Sequence, residues 1–483
     1  MNQSRKPHQL EANTIGLLGA VTMGVVMLSP AMSLYGVFGP TFLAAGKAAP
    51  LAFIWALAAT LPTAISYVLL AREHPLSGSA ASWIGLTVPR PIANWCGWMV
   101  FMYYFTNFII QPVTLGVFAG DFANAVGITP GLFSYGFGIA LCCAWPAWIV
   151  YRGISVSAKG ALGFLVFESA VVLVLCLSVI AMASRNGTAL DLEGFSLTAS
   201  INGAPGILRA MIFGMLAFCG FDVISTLAEE TKMAHRLIPK ATLLALLVYA
   251  LIITFGVWSL SFGGDQNSLR AVAESGRMPI SEIADRVWGK GSLLVSLTAV
   301  SAALGLAIAT SIGASRVLFS LGRENNAPPA LARLHPRFGV PWSALNLIFG
   351  VGLVAAFLSG LLIGPYTSYV WWATTSTFFA MLTYMMVHFA NLVLNRAKAR
   401  QSFLGWLGYF VVPVFGLSCN AYLLVRSFFL ELWSQDWASG KSVVVFDVTC
   451  ALAIAGIIGW LQCQKRWQKT THLAPNPALP EQF

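Results

Sequence analysis

Long apolar runs alternate along the chain with short polar connections rich in basic residues. Runs long enough to cross a bilayer fall near 14–44, 50–71, 93–125, 131–150, 157–183, 205–231, 238–262, 290–320, 342–363, 366–394, 403–428 and 442–463. A helix needs about 20 consecutive apolar residues to cross the hydrocarbon core. Backbone polar groups must be satisfied internally there, so such runs are helical. The pattern predicts an all-α polytopic membrane protein with twelve transmembrane helices. The expected organisation is a cytoplasmic N-terminus over 1–13, a core over 14–394, two peripheral helices over 403–463 and a cytoplasmic tail over 464–483. The first run is too long for a signal-peptide core and reads as a retained span.

Two runs are interrupted. The first carries Ser29-Pro30-Ala31-Met32-Ser33 at mid-membrane depth, where Pro30 removes an amide donor and crowds the preceding turn. The sixth carries Ala217-Phe218-Cys219-Gly220, followed by an acid, Asp222. Either alone is compatible with an ordinary kink. Spans one and six are five apart and so enter the membrane from opposite sides. Broken helices at equivalent places in two inverted halves mark a transporter's binding site. Half-helix dipoles there favour anions at amino ends and cations at carboxyl ends. The expectation is that Ser29–Ser33 is non-helical and lies within the spacing of packed helices, about 8–10 Å, of Ala217–Gly220.

Composition narrows the class. The 483 residues are 57% hydrophobic and 10% charged, against about 25% charged for a soluble domain. The surface therefore faces lipid. The formal net charge of +10 does not signal nucleic acid, because most basic residues, Arg72, Arg90, Arg152, Arg236 and Arg396 among them, sit in loops on the N-terminal side. By the positive-inside rule that side is cytoplasmic, which places both termini there and the chain in a cytoplasmic (inner) membrane. The eight cysteines form no CxxC pair and read as small apolar fillers. The six histidines form no cluster. No metal site, cofactor or enzymatic centre is expected, and no soluble domain or repeated pore ring suggests a sensor or channel.

Four stretches carry a family likeness. They are Glu73-His74-Pro75-Leu76-Ser77-Gly78-Ser79-Ala80-Ala81-Ser82-Trp83; Phe218-Cys219-Gly220-Phe221-Asp222 with Ser225-Thr226-Leu227-Ala228-Glu229-Glu230-Thr231 and Ile238-Pro239-Lys240; Ser315-Arg316-Val317-Leu318-Phe319 with Gly322-Arg323-Glu324-Asn325 and Pro328; and His335-Pro336-Arg337 with Pro341. The sequence resembles the amino acid–polyamine–organocation superfamily of permeases. The resemblance implies two inverted five-helix repeats, about 14–183 and 205–394, plus two peripheral helices. It also implies alternating access around a site lined by helices one, three, six, eight and ten. The substrate would be an amino acid or related amine, moved with protons. Most such permeases have a Gly-x-Gly break in helix one, where this chain has Ala31-Met32-Ser33 behind Ser29-Pro30. That break, and Gly-Phe-Asp before Ser-Thr-Leu, resemble the bacterial putrescine importers; Gly-Phe-Asp also resembles cationic amino acid transporters. Those importers carry an aspartate where this chain has Tyr103, so a polyamine importer and an amino acid or amine antiporter stand as alternatives. Oligomeric state is not legible.

Charges inside a membrane are functional candidates by default. Glu168 lies mid-way along the fifth span, with no ion-pair partner visible in the same helix, where many proton-coupled relatives have a lysine. Burial favours the protonated form of a carboxylate, which makes Glu168 the candidate proton carrier; the alternative is a glutamate that only ties helices together. Asp222 is expected either to meet a substrate amine or pin the unwound segment, or to cap the second half-helix. Tyr104 and Phe218 are singled out as aromatic groups able to close over a ligand. The candidate substrate-binding set is thus Ser29, Pro30, Ala31, Met32, Ser33, Tyr104, Ala217, Phe218, Cys219, Gly220 and Asp222. Asp447 reads as structural and His388 as near enough to a helix end to reach water. Glu229 and Glu230 form either an ion-pair gate with basic residues expected on the same side, Arg72, Lys232, Arg236, Arg316 and Arg323, or a set of solvated loop charges.

Overall fold

The computed structural model describes residues 14–76, 78–129, 131–274, 278–324, 326–429 and 441–471. The expected N-terminal segment 1–13 and the tail beyond 471 lie outside the described residues. Among the described residues the chain is helical, without strands. In order the helices are α1 (Leu17–Leu28), α2 (Pro30–Ala45), α3 (Ala49–Glu73), α4 (Ser79–Gly85), α5 (Arg90–Ala125), α6 (Leu132–Val150), α7 (Ile154–Arg185), α8 (Gly203–Phe218) and α9 (Val223–Thr226). They continue as α10 (Ala234–Leu260), α11 (Gln266–Glu274), α12 (Pro279–Trp288), α13 (Gly291–Arg323), α14 (Trp342–Ile363), α15 (Pro365–Leu394), α16 (Arg396–Ala399), α17 (Phe403–Trp406), α18 (Val412–Leu424) and α19 (Ser442–Thr471).

Eleven helical stretches among the described residues are long and apolar enough to cross a membrane, one of them the 57-residue stretch Leu17–Glu73. By length and composition each of these is a candidate membrane span. The stretches differ in what they face. Along their most apolar 18 residues, Arg90–Gly120 and Leu293–Arg323 have 83% and 78% of positions buried inside the protein, whereas Trp342–Ile363 and Ser442–Gly459 have 28% and 22%. Leu243, Leu247 and Leu251 on α10 and Leu358, Leu361 and Leu362 on α14 stay exposed. Apolar surface of that extent requires lipid. α5 is the central post, packed against α13, α15 and α6. α11 and α12 are too short to cross; α12 buries Pro279, Ile280, Ile283 and Ala284 along one face and packs on α2, α7 and α13.

Both expected interruptions are present, each with a different shape from the sequence expectation. In the first span only Ser29 leaves the helix, with φ 38° and ψ 97°. A residue before proline is pushed out of the α region. Pro30 itself opens α2, at a position where its missing N–H costs nothing. Pro30, Ala31, Met32 and Ser33 are therefore helical, and the non-helical stretch expected over Ser29–Ser33 narrows to one residue. In the sixth span α8 stops at Phe218, and the chain continues as turns around one four-residue helix, α9. The hydroxyls explain this. Ser225 donates to the Asp222 carbonyl at 2.6 Å, Thr226 to Val223 at 2.7 Å and Thr231 to Leu227 at 2.8 Å. Such side chains offer the backbone alternatives to a helical ladder.

His388 does not reach water. It is fully buried, its ring nitrogens 3.0 Å from the hydroxyls of Thr63 and of Ser66 on α3. Asn420 on α18 bonds the same Thr63 at 3.3 Å. This polar node joins α3, α15 and α18.

Candidate functional site

The two interruptions meet. Gly220 has φ +128°, a backbone conformation that side chains disfavour, and a Cβ there would lie 2.7 Å from Met27 Cγ and 3.0 Å from the Met27 carbonyl oxygen. Only glycine allows the turn after α8 to lie flat against the last turn of α1. Beside this contact is a cavity of about 70 Å3. Met27, Leu28, Met32 and Ser33 line it from the first span, and Leu216, Ala217 and Cys219 from the sixth. Asn107 and Gln111 of α5 and Tyr369 of α15 complete its polar wall.

Of the residues expected from sequence, Met32, Ser33, Ala217 and Cys219 thus reach the cavity, and Gly220 sets the approach of the two spans. Ser29, Pro30 and Ala31 are buried but are not among the lining residues. Ser29 works through hydrogen bonds instead. Its hydroxyl accepts from the Met32 amide at 3.3 Å, capping α2, and donates to Glu168 Oε2 at 3.0 Å. Glu168, 2% exposed on α7, is therefore tied to the break in the first span. Ser33 donates to the Leu28 carbonyl at 2.7 Å, satisfying one of the acceptors that the end of α1 leaves open.

Three of the candidates lie off the cavity lining. The Phe218 ring does not face the cavity: it is fully buried and packs edge-on against Tyr249 of α10, centroids 5.4 Å apart. Tyr104 is likewise turned away, its hydroxyl donating to Asp222 Oδ2. Asp222, 1% exposed, neither caps α9 nor lines the cavity. Tyr103 of α5 and Tyr384 of α15 each donate to Oδ1 at 3.0 Å. One carboxylate thus accepts from three phenols and locks the turn after α8 to α5 and α15, in keeping with the pinning role and not the capping one.

Beyond this layer lies an ion pair. Arg316 of α13 forks onto Glu230, Nε to Oε2 and Nη2 to Oε1, both 3.0 Å, with side chains 1% and 3% exposed. Arg323 and Glu229 repeat the pairing near the surface at 2.9 and 3.2 Å. The Glu230 carbonyl accepts the amides of Thr14 and Ile15 at 2.9 and 3.0 Å, and the Lys232 amide donates to Ile15 at 2.9 Å. The start of the first span and the end of the sixth are thereby stitched together. At 1.5 Å per helical residue, Arg316 lies about 15 Å along α13 from Leu306, which lines the cavity. Along α5, Tyr103 precedes Gln111 by about 12 Å. Phenol layer and ion pair therefore lie to the same side of the cavity and close it there.

Sequence reasoning missed Asn107, Gln111, Tyr384 and the Ser29 to Glu168 bond. Two amides one turn apart inside an apolar run were a legible signal for the first pair. The others join residues more than a hundred positions apart. Among the described residues, no group of His, Cys, Asp or Glu is arranged to hold a metal.

The amino acid permease family model matches residues 16–456. The chain is 27% identical to the low-affinity putrescine importer PlaP of Escherichia coli K12 over 351 residues, 71% of this chain and 73% of the importer. It is 30% identical to an uncharacterized transporter of Mycobacterium tuberculosis over 349 residues, 71% and 72% of the two chains. It is 24% identical to the branched-chain amino acid permease BcaP of Bacillus subtilis over 338 residues, 66% and 68%. A family of membrane transporters accounts for the apolar helices, and a match of this extent settles the assignment: the chain belongs to the amino acid permease family.

Proposed function

We propose that this permease is a secondary active transporter that moves a small amino acid or related amine across the cytoplasmic membrane by alternating access, coupled to protons. The observation that carries the reading is the contact between the two interrupted spans, Gly220 on Met27, with a cavity built from both sides of that contact. The stretch Leu17–Glu73 has 57 residues, about 85 Å of helix. Read as two crossings, it brings the total to twelve. On that reading spans one to five and six to ten are the inverted repeats, the poorly buried stretches after Phe403 are peripheral, and both termini are cytoplasmic. The phenol layer and the ion pair then close the cytoplasmic side of the substrate site.

Glu168 is the proton carrier in this reading. Its carboxylate contacts the break in the first span through Ser29, so loading or losing a proton changes a hydrogen bond on a moving part. A proton that binds the two access states unequally biases them, as any ligand does. Similarity to a putrescine importer favours a second reading, polyamine import; among the described residues no acidic side chain lines the cavity, which argues against it.

Uptake of labelled amino acids and polyamines into proteoliposomes, with and without a pH gradient, tests both. Accumulation of an amino acid driven by the gradient is expected. Glu168→Gln should keep substrate exchange and lose gradient-driven accumulation. Wild-type accumulation in that variant would remove Glu168 as the carrier, and sodium dependence without a pH effect would remove the proton mechanism. Exchange without net accumulation in the wild type would make it an antiporter.

A further inference from the structure

We infer that Asn107 and Gln111 determine the substrate selectivity of the central cavity, choosing a small amino acid with an uncharged, hydrogen-bonding side chain over a dication. The inference rests on the cavity being the transport site.

The first ground is what the wall lacks. Thioethers, alkyl groups, two carboxamides, one serine, one cysteine and one phenol line the cavity, without a charged side chain. The two membrane-embedded carboxylates nearest in the architecture are engaged elsewhere. Asp222 accepts from Tyr103, Tyr104 and Tyr384, and Glu168 from Ser29. A dication moved out of water needs counter-charges at both ends. A zwitterion carries no net charge, and the last turn of α1, where Met27 and Leu28 line the cavity, presents the carboxyl end of a helix to its ammonium. The small volume, about 70 Å3, favours a short side chain.

The second ground is an open valence. Gln111 Nε2 donates to the Asn107 carbonyl at 2.9 Å and to Asn107 Oδ1 at 3.3 Å, which fixes the two amides relative to one another. Gln111 lines the cavity and is 3% exposed, and its Oε1, turned into the protein in this conformation, has no hydrogen-bond partner among the described residues. A buried acceptor left unpaired is costly, and a ligand donor in the cavity relieves that cost when the carboxamide turns toward it. A hydroxyl or carboxamide supplies that donor; an alkyl side chain does not. Sites that offer a polar group to the substrate discriminate strongly against analogues unable to pair with it.

The experiment is competition for exchange in proteoliposomes, with serine, alanine and putrescine as competitors. In the wild type serine should compete at least about tenfold better than alanine, and putrescine worse than both. Gln111→Met keeps the length of the side chain and removes the amide; the serine-to-alanine ratio should fall to within about twofold. Gln111→Glu places a carboxylate in the wall and should raise competition by putrescine at least about tenfold. Thermal unfolding of each purified variant identifies one that has not folded, in which case the other decides. An unchanged serine-to-alanine ratio in Gln111→Met, or putrescine as the best wild-type competitor, overturns the inference and leaves the transporter reading intact. Exchange of none of the three overturns this inference, whereas only failure of the whole amino acid and polyamine panel overturns the transporter reading.

Discussion

At the scale of single residues, the carboxylate of Asp222 shows how a membrane interior uses charge. Its three phenol donors come from two helices and converge on two oxygens. Hydrogen bonds to an ionised group contribute about 1.5–3 kcal/mol each. Asp222→Asn replaces one acceptor with an NH2 that cannot accept. It should cost about 2 kcal/mol of stability, read as a lower melting temperature, with a smaller change in the affinity of bound substrate. A tenfold loss of affinity at unchanged melting temperature would instead put Asp222 in contact with the substrate amine. Sequence marked Asp222 because an acid in an apolar run is rare, but not its partners: Tyr103 and Tyr384 are 281 positions apart and share a carboxylate only in the folded protein. Asp447 is the counter-example. It is fully buried in α19 and has as its polar neighbour the Thr375 hydroxyl of α15, with which it makes no well-aligned hydrogen bond.

At the scale of elements, the two interruptions arise from different chemistry. Ser29 is forced out of the helix by the proline behind it and kept useful by its hydroxyl. The turn at Gly220 exists because a left-handed backbone and a close approach coincide. Gly220→Ala should therefore destabilise the protein by about 1–3 kcal/mol from backbone conformation alone, and more from the 2.7 Å approach to Met27. The expected result is a lower melting temperature with loss of transport. Ala217→Gly, three residues earlier within α8, is a helix-interior change worth about 1 kcal/mol and should be milder. Equal effects at the two positions would deny the contact its role.

At the scale of the whole molecule, the ion pairs beyond the phenol layer differ by burial. Removing one partner of a buried pair leaves the other charge uncompensated and costs about 3–5 kcal/mol, whereas an exposed pair contributes about 0–1 kcal/mol. Arg316→Met should consequently unfold at markedly lower temperature than wild type, while Arg323→Ala should lie close to it. If Arg316→Met instead melts normally and only shifts the balance of access states, the pair is a gate with little structural weight. Orientation is checked separately. A reporter active only in the cytoplasm, fused at residue 470, should give signal, and one fused within 266–280 should not; the opposite pattern would overturn the positive-inside assignment.

The sequence by itself determined the solvent, the helical class and where each span must break. Lipid admits only helices and closed barrels, apolar runs of about 20 residues are helices, and proline and glycine act on the backbone locally, so both are legible residue by residue. The tertiary structure decided what each break does. The first narrowed to Ser29 because Pro30 starts a helix as readily as it ends one. Phe218 and Tyr104, aromatic and beside the breaks, turned toward Tyr249 and Asp222 and away from the cavity. Asn107 and Gln111, two amides one turn apart in an apolar run, came to line it. Which face of a helix meets a neighbour depends on helices hundreds of residues away, and on whether a polar atom finds a partner there or is left for a ligand.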